Sequence, residues 1–313
     1  MGKVNNVVNW YFRDKTRFAD LFNGVFFQGE EVIKPEELTD SGEVYEGDRE
    51  RVRDVKMKMV NGEILRFLAL ENQNLVDYTM PLRCMEYDAL EYLRQLAELK
   101  KKNGEKSGFE TAEERLCKMR KSDRLIPVYT LCFYHGEANW DGPRTLKDMM
   151  DFGSGEDVMK EFFVDYPFHL YCMNEENNCE KYHTELGLLF EMLKCRGNKM
   201  KLLELMEQKE SYQHIGGETL KVASVMMNAP KIWNNRTKYI GREKEEFNMC
   251  QAIRELVEDG RQEGRQEGIM AFIQFCKEEM MEECKILNGI VKYFQISEEN
   301  AKEYLQEAQI MVK

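Results

Sequence analysis

Two apolar-rich runs joined by Asn61-Gly62 constrain the fold of this chain more than any other segment. The stretch R-D-V-K-M-K-M-V-N-G-E-I-L-R-F-L-A-L-E-N-Q covers residues 53–73. Asn-Gly between two such runs predicts a β-hairpin, because both central residues of a type I′ turn need a positive φ. The hairpin in turn predicts a sheet, since an isolated two-stranded hairpin is at best marginally stable in water.

Acidic side chains in a strand that is otherwise suited to burial need a partner, because burying a charge is costly. The predicted turn places Val60 opposite Glu63. The same register places Asp54 opposite Ala69, with Glu71 two residues further along the same face. Carboxylates in that arrangement can converge on one Mg²⁺ at about 2.1 Å per ligand. The alternative is that both acids are exposed at strand ends and pair with nearby basic residues.

The remaining patterns over residues 1–175 predict a mixed α/β sheet flanked by helices. We therefore treat residues 1–175 as one domain. Its predicted elements are a helix over 16–27, a loop over 28–48 with a turn after Pro35, a helix over 78–102, a polar, mobile insertion over 103–115, a strand over 125–135, two short helices around 145–162 and a strand over 167–173.

Residues 176–313 are predicted to form a helical C-terminal region. Amphipathic patterns cover 182–195 and 200–207. Residues 254–276 contain two Arg-Gln-Glu-Gly repeats, whose glycines each cost about 1 kcal/mol relative to Ala in a helix. This segment is predicted to be a frayed or extended helical connector. The last residues are predicted to form short amphipathic helices that pack on the body of the protein or on a partner.

Composition gives no sign of export or membrane insertion. The net charge is −12, but residues 1–130 are close to neutral, so a basic groove there is compatible with the overall acidity. No segment has the roughly 20 apolar residues of a membrane helix, and the N-terminus lacks the apolar run of a signal peptide. The nine cysteines form no Cys-x-x-Cys pair, which predicts reduced thiols and no zinc site. We expect a cytoplasmic protein with no membrane partner.

Several motifs, taken in order, resemble the Rpn family. These motifs are F-A-D-L-F-N-G-V-F-F, R-E-R-V-R-D, L-E-N-Q followed by M-P-L-R-C-M-E-Y, and R-L-I-P-V-Y-T-L-C-F-Y-H-G-E-A-N-W-D-G-P. The resemblance covers roughly residues 14–170, and Arg-Glu-Gly repeats before a variable helical C-terminus are also typical of the family. Its members are recombination-promoting nucleases and transposases of the PD-(D/E)XK superfamily, which has a restriction-endonuclease-like core.

The resemblance implies an αβββαβ core and Mg²⁺-dependent cleavage of DNA, with Mn²⁺ as an alternative metal. Asp54 matches the metal-binding Asp of the D…(D/E)-x-K motif, and Glu71 matches its second acid. The backbone carbonyl of Asn72 would supply a further metal ligand. An acid in the first helix often completes such a site; Asp20 is the first candidate and Asp14 the second, and either is equally compatible with a solvated helix position.

Gln73 stands where the superfamily motif has Lys. Gln can hydrogen-bond a water but brings no positive charge, although Rpn members share the E-x-Q pattern. Lys56, on the same face by alternation, is the candidate for the missing charge. Arg83 and Tyr87, four residues apart on the next helix, are candidates for contacts with a phosphate and a base. Their alternative is structural, as an arginine near a helix start and a half-buried tyrosine.

Two functions are therefore open. The first is a Mg²⁺-dependent DNA endonuclease linked to mobile elements or recombination. It would act as a homodimer to cut both strands, with C-terminal helices that bind an unidentified protein. The second is a non-catalytic interaction protein that retains the nuclease fold, which the acidic C-terminal half and the missing Lys favour. Metal binding separates the two, and so does the sheet face on which Asp54 and Glu71 lie.

Overall fold

The computed structural model describes residues 3–41, 44–45, 51–105, 108–153, 158–241 and 245–310. The chain forms two compact units. Unit 1 contains Met1–Asn198 and Ile215–Trp233, and unit 2 contains Lys199–His214 and Asn234–Lys313. Unit 1 thus extends beyond residue 175 to take in two further stretches of helix.

The described residues contain both strands and helices in a mixed order. The strands are β1 (Leu38–Asp40), β2 (Val44–Tyr45), β3 (Arg51–Val52), β4 (Val55–Asn61), β5 (Ile64–Gln73), β6 (Val128–Tyr134), β7 (His169–Cys172), β8 (Ile215–Gly216) and β9 (Glu246–Phe247). The helices are α1 (Lys3–Phe12), α2 (Lys15–Phe27), α3 (Met80–Glu105), α4 (Ala112–Cys117), α5 (Leu186–Cys195), α6 (Lys199–Gln208), α7 (Gly217–Met226), α8 (Pro230–Asn234), α9 (Met249–Glu278), α10 (Glu283–Phe294) and α11 (Glu298–Ile310).

Unit 1 is built on a five-stranded sheet with the order β1-β4-β5-β6-β7. The pairs β1-β4 and β4-β5 are antiparallel, whereas β5-β6 and β6-β7 are parallel. A parallel pair needs a long crossover, and α3 provides it between β5 and β6. The predicted mixed α/β class is confirmed.

Gly62 and Glu63 form the hairpin turn, because Asn61 is already paired with Ile64. Gly62 has a φ of 59°, which is the sign that the first central residue of a type II′ turn requires. The turn predicted around Asn61 and Gly62 is therefore displaced by one residue. Asn61 instead ends its strand, and its side chain donates to Glu37 at 3.0 Å.

The predicted register is wrong by two residues, since Lys56 and not Asp54 lies opposite Ala69. A shift of two residues leaves every side chain on its predicted face, because side chains alternate with a period of two along a strand. Asp54 itself lies one residue before the paired part of β4, so the common face of Asp54 and Glu71 stays a prediction.

Both faces of the sheet are covered. On one face, Phe133 of β6 packs against Phe12 of α1 and Phe190 of α5, with ring centroids 5.5 and 5.6 Å apart. On the other face, Cys132 of β6 belongs to a buried cluster with Cys84 of α3. Parallel strands buried on both faces are apolar throughout, which explains why the sequence predicts an interior strand over residues 125–135.

Helix α1 and edge strand β1 are absent from the predicted elements. Helix α1 buries Val8, Tyr11 and Phe12, but its run is only 10 residues long. Strand β1 has three residues and exists through its pairing with β4. The predicted turn after Pro35 is confirmed as a 3₁₀ turn, and short 3₁₀ turns also replace the helices expected around 145–162. Residues 154–157 of that stretch lie outside the described residues.

The final helices of unit 2 form their own apolar cluster. Helix α9 is continuous over 30 residues and passes through both Arg-Gln-Glu-Gly repeats, whose residues 261–267 are exposed. The predicted helical character of this segment is confirmed, but α9 is unbroken. Its C-terminal half packs against α10 and α11 through Ile269, Ile273, Ile290 and Leu305.

Among the described helices, none combines the length and apolar character that crossing a bilayer requires. All nine cysteines are free thiols, most of them buried. Buried free cysteines behave as small apolar side chains, so the buried thiols add to the apolar core.

We expect Gly24→Ala to destabilise unit 1. A Cβ atom at position 24 would lie inside contact distance of the Tyr182 ring. That ring is held in place, since its hydroxyl donates to Tyr171 at 2.7 Å and it packs against Phe190. Overpacking of this kind costs about 1–3 kcal/mol, so thermal unfolding should show a Tm lower by roughly 2–10 °C.

Gly104→Ala is the matched control in α3. Among the described atoms, none lies within 4 Å of a Cβ at position 104, and Ala is the better helix former by about 1 kcal/mol. This variant should leave Tm unchanged or raise it. An equal loss of Tm in both variants would contradict the packing argument at Gly24.

Candidate active site

Asp54 lies immediately before β4, close to Glu71 near the end of β5. Pairing of the two strands begins at Val55 and Leu70, so Asp54 stands one residue outside the ladder. The charge of Asp54 is the second cause, after burial, of the raised pKa of Glu71. The two carboxyl groups are therefore neighbours, but the direction of the Asp54 side chain is not determined by strand alternation.

A ring of amide groups holds the carboxylate of Asp54. The backbone N–H of Asn72 donates to Asp54 Oδ2 at 2.8 Å, and Asn9 Nδ2 donates to Asp54 Oδ1 at 2.8 Å. Asn72 Nδ2 in turn donates to Asn9 Oδ1 at 2.6 Å. Burial raises the pKa of Asp54, and the two hydrogen bonds that it accepts oppose that rise. The network fixes the position of this carboxylate from two elements, α1 and β5.

Glu71 is a buried acid with spare hydrogen-bonding capacity. Its side chain is 1% exposed, and Oε2 lies 4.0 Å from Arg83 Nη2. The other oxygen, Oε1, is buried with no hydrogen-bond partner among the described residues. Burial, with the charge of Asp54, raises the pKa of Glu71 to about 8. A buried carboxyl oxygen without a partner is unusual and costly.

Two arginines lie close enough to Glu71 to moderate its pKa. The charges of Arg53 and Arg83 both lower that pKa, although burial outweighs them. Arg53 is buried, donates to Thr130 at 2.7 Å and pairs with Asp88. It is thus committed to the interior of the protein.

Arg83 remains partly accessible. Its side chain is 30% exposed, and Nη1 donates to Asp77 Oδ2 at 2.5 Å. Burial would lower the pKa of Arg83, but the hydrogen bonds to Asp77 and Tyr87 raise it above its usual value. Tyr87 itself is buried, with the guanidinium of Arg53 5.3 Å from its ring centroid. Arg83 therefore fits a role in contacting an anion, whereas Tyr87 packs in the interior.

Lys56 shares the sheet face of Glu71 but has a different partner. Its Nζ lies 2.7 Å from Glu91 Oε2 of α3, and both side chains are almost fully buried. The centroid of the Phe67 ring lies 4.4 Å from the same Nζ. A lysine held in this way is a structural ion pair, so the structure gives no support for Lys56 as the missing positive charge.

Asp20 and Asp14 also have partners of their own. Asp20 Oδ1 accepts from the backbone N–H of His183 at 2.9 Å. Its Oδ2 accepts from the backbone and hydroxyl of Thr184, at 2.8 and 2.5 Å. Asp14 caps α2 by accepting from the N–H of Arg17 at 3.0 Å. These contacts make Asp20 a loop anchor and Asp14 a helix cap, in place of the metal-site roles expected for them.

Gln73 follows Glu71 on the same face of β5, at the end of the strand. It is half-buried, and its backbone carbonyl accepts from the N–H of His135 at 2.9 Å. The strand therefore carries an acid and an amide at i and i+2, where side chains point in one direction. This spacing keeps Gln73 within the reach of a ligand held by Glu71.

The donor atoms at this site fit a hard divalent cation. They are oxygens from Asp54 and Glu71. The side-chain oxygen of Asn72 is also buried with no partner among the described residues, but Asn72 follows Glu71 in β5, and its side chain lies on the opposite face, beside Asn9 of α1. Mg²⁺ prefers oxygen ligands, usually one or two carboxylates with waters completing an octahedron. Within the described ranges, no group of three or more His, Cys, Asp or Glu side chains is placed to hold a metal. Any metal would therefore rest on two carboxylates and neutral oxygens.

Asn9, Arg53 and Asp88 are the site residues absent from the sequence-based candidates. Arg53 and Asp88 pair across 35 positions of sequence, so spacing along the chain gives no signal for them. Asn9 lies within the apolar run V-V-N-W-Y-F of α1. A polar residue at a buried position of an amphipathic helix is the one pattern that can reveal such a group in advance.

Comparisons of the chain with protein-family models, with curated proteins and with solved structures give no match.

Proposed function

We propose that this protein is a metal-dependent phosphodiesterase that cleaves DNA. The observation that carries the proposal is Glu71, a buried carboxyl with an unpartnered oxygen, held beside Asp54 at the end of two paired strands. Such perturbed acids concentrate at functional sites. A structural role would leave the cost of burying Glu71 without compensation.

The order of elements supports the finer fold assignment. Helices α1 and α2 precede the antiparallel strands β1, β4 and β5, then α3 crosses to the parallel strand β6. This is the αβββαβ order that the resemblance to the PD-(D/E)XK superfamily implies. Glu71 lies on the third of those strands, counting β1 as the first, and Asp54 immediately precedes the second. We accordingly assign unit 1 to a restriction-endonuclease-like core.

Asp54 and Glu71 would bind the metal in the proposed reaction, and neighbouring groups surround both carboxyl groups. Asn9 and Asn72 hold the carboxylate of Asp54 in place, whereas Glu71 is buried with the charges of Arg53 and Arg83 nearby. A bound Mg²⁺ or Mn²⁺ would be held by Asp54 and Glu71, polarise the scissile phosphate and lower the pKa of the attacking water.

The polar groups around the pair complete the proposed mechanism. The partly exposed guanidinium of Arg83 would bind a phosphate oxygen, since its planar fork of donors matches phosphate geometry. Gln73 would accept a hydrogen bond from the attacking water and orient it. Cleavage of both strands requires two such sites, which makes a homodimer part of the proposal.

A non-catalytic interaction protein is the second candidate function. The observation that favours it is the Lys56–Glu91 ion pair, which removes the lysine of this sheet face from the site. Without a lysine, the developing charge on the phosphate has only Arg83 and the metal to stabilise it. This candidate predicts that the wild-type protein neither binds Mg²⁺ nor cleaves DNA.

Plasmid nicking in Mg²⁺ or Mn²⁺ tests the proposal. Wild type should nick supercoiled DNA, and Asp54→Asn and Glu71→Gln should each lower the rate by roughly 100-fold or more, because removing one group that stabilises transition-state charge has an effect of that size. Glu63→Gln, an exposed charge removal in the same hairpin, is the matched control and should retain wild-type activity.

Metal binding by calorimetry and thermal unfolding accompany the assay, so that an inactive variant is shown to be folded. Nicking that survives in both Asp54→Asn and Glu71→Gln would place the chemistry elsewhere. Wild-type protein that binds no metal and cleaves nothing would support the interaction protein instead.

A further inference from the structure

A second polar site lies in unit 1, beyond the acidic pair. A cavity of about 950 Å³ opens at the carboxyl ends of β5 and β6. It is lined by the residues that follow these strands, 74–76 and 135–139, together with Arg196 and the end of α7. Ligands of open α/β sheets bind outside the carboxyl ends of parallel strands, and cavities of roughly 300–1,000 Å³ are usual for them.

Arg196 and His135 give this cavity two buried polar atoms that have no partner. Arg196 Nη1 donates to the backbone carbonyl of His135 at 2.9 Å. Arg196 Nη2 and His135 Nε2 are both buried without a hydrogen-bond partner among the described residues. His135 is only 2% exposed. Arg196 Nη2 is a donor, whereas His135 Nε2 donates or accepts according to the tautomer of the neutral ring.

The environment of Arg196 is unfavourable for an empty site. Within the described part of the chain, Arg196 forms no ion pair with a carboxylate, and burial lowers its pKa. Burial, with the charge of Arg196, also lowers the pKa of His135 to about 3. Arg196 is half-buried, and its unpartnered Nη2 would donate a hydrogen bond to an anionic ligand, which would also offset the cost of burying the charge.

The rest of the cavity offers an apolar wall. Val76, Val225 and Met226 line it, and the ring of Tyr78 stands at its edge, 58% exposed. A ligand that places an anion against Arg196 would lay its remaining part on these side chains. A phosphate joined to a heteroaromatic base has both parts, because the base stacks on aromatic and apolar groups.

Helix α1 links the cavity to the acidic pair. Val4 lines the cavity, and Asn9, five residues further along α1, holds Asp54. The rise of 1.5 Å per residue separates them by roughly 7–8 Å along the helix axis. The N–H of His135 also donates to the carbonyl of Gln73. The two sites thus share adjacent backbone.

We propose that the cavity binds the phosphate of a nucleotide through Arg196 and His135, with the nucleoside on the apolar wall. The phosphate could belong to a strand that enters the acidic pair or to a free nucleotide. The assignment of this phosphate to a DNA strand rests on the proposed function, whereas the binding of a nucleotide does not depend on that function.

Two acidic side chains at the rim sharpen the test. Asp141 accepts a hydrogen bond from the Tyr78 hydroxyl at 3.1 Å. Glu137 is exposed, and its charge acts on the pKa of Arg196. An anionic ligand would be repelled by Glu137, so removal of this charge should strengthen binding of a phosphate and leave binding of an uncharged nucleoside unchanged.

The experiment is calorimetric titration of the full-length protein in EDTA with 5′-AMP, adenosine and inorganic phosphate. We expect 5′-AMP to bind roughly 10-fold or more tightly than adenosine, and Arg196→Met to reduce that affinity by roughly 10–100-fold, since hydrogen bonds to charged groups contribute about 1.5–3 kcal/mol. Arg196→Lys should fall in between, because it keeps the charge but loses the fork. Glu137→Gln should tighten 5′-AMP by roughly 2–5-fold.

Thermal unfolding checks that each variant is folded. If Arg196→Met does not fold, the test rests on the other two variants: Arg196→Lys should lower the affinity for 5′-AMP, and Glu137→Gln should raise it. The proposal would be overturned if adenosine bound as tightly as 5′-AMP. It would also be overturned if neither Arg196→Lys nor Glu137→Gln changed the affinity for 5′-AMP.

Competition with short single-stranded oligonucleotides identifies the source of the phosphate. If an oligonucleotide displaces 5′-AMP, the site binds the phosphate of a DNA strand. If 5′-AMP binds and is not displaced, the site binds a free nucleotide. Either result is consistent with a phosphate-binding site in this cavity. Because the titration contains no metal, its failure is distinct from failure of the nicking assay: nicking with no binding of 5′-AMP removes this site alone, and binding with no nicking removes the nuclease alone.

Discussion

Glu71→Gln should make the metal-free protein more stable at pH 8.5 than wild type, and should make little difference at pH 5. The pKa of Glu71 is raised from 4.5 to about 8 by burial and by the charge of Asp54, whereas the carboxyl in the unfolded chain keeps its ordinary pKa. The folded state therefore holds a proton that the unfolded state releases, and its stability falls as pH rises from about 4.5 to about 8. A tenfold change in proton affinity corresponds to about 1.4 kcal/mol, so the full difference is roughly 3–5 kcal/mol.

Urea unfolding in EDTA at several pH values measures this difference. The amide of Gln does not titrate, so the curve of the variant lacks the component due to Glu71 and the two curves should diverge between pH 5 and 8. Parallel curves would show that Glu71 ionises as an exposed acid does. Adding Mg²⁺ at pH 8.5 should stabilise wild type, by the usual coupling of ligand binding to folding, and should leave Glu71→Gln unchanged.

Glu91→Gln should cost roughly 3–5 kcal/mol of unfolding free energy, because it removes one member of a buried ion pair. Glu91 Oε2 accepts a hydrogen bond from Lys56 Nζ at 2.7 Å, and Oε1 accepts one from Arg94 Nη2 at 2.7 Å. Burial alone would raise the pKa of Glu91, but the hydrogen bonds from Arg94 and Lys56 hold it at about 2. The carboxylate thus compensates the charge of Lys56 in the interior.

The double variant Lys56→Met with Glu91→Gln separates charge compensation from simple loss of packing. It should be less destabilised than the sum of the two single variants, since the two residues are in direct contact. Glu98→Gln is the exposed control: Glu98 also pairs with Arg94 but is 65% exposed, so its removal should cost less than about 1 kcal/mol. Additive losses from Lys56 and Glu91 would show that the ion pair is not coupled.

The hairpin illustrates which structural features can be predicted from the sequence. Its two strands and the alternation of their side chains follow from residues 53–73 alone, because side-chain direction within a strand depends only on the parity of the position. The register does not, since Asn61-Gly62 is compatible with two placements of a two-residue turn. The interior strand β6 is equally predictable, as a buried parallel strand is apolar throughout.

Predictions for individual side chains are less reliable where a partner comes from far along the chain. Alternation correctly puts Lys56 on the face of Glu71, yet Glu91, 35 residues away, pairs with its charge. Asp20 has the position expected of a site acid in the first predicted helix. Its two carboxylate oxygens, however, accept hydrogen bonds from the backbone N–H groups of His183 and Thr184. Local pattern gives the face on which a residue lies and gives no information about which distant group arrives there.

The sequence by itself determined the mixed α/β class, the β-hairpin and the helical C-terminal region, because each depends on short-range periodicity. Only the tertiary structure decided the strand order, the amide network of Asn9 and Asn72 around Asp54, the burial of Glu71, and the cavity at Arg196 and His135. These features arise from groups that are distant in sequence and meet only when the sheet forms. Their energetics depend on exclusion of water, which is a property of the packed fold and not of any segment.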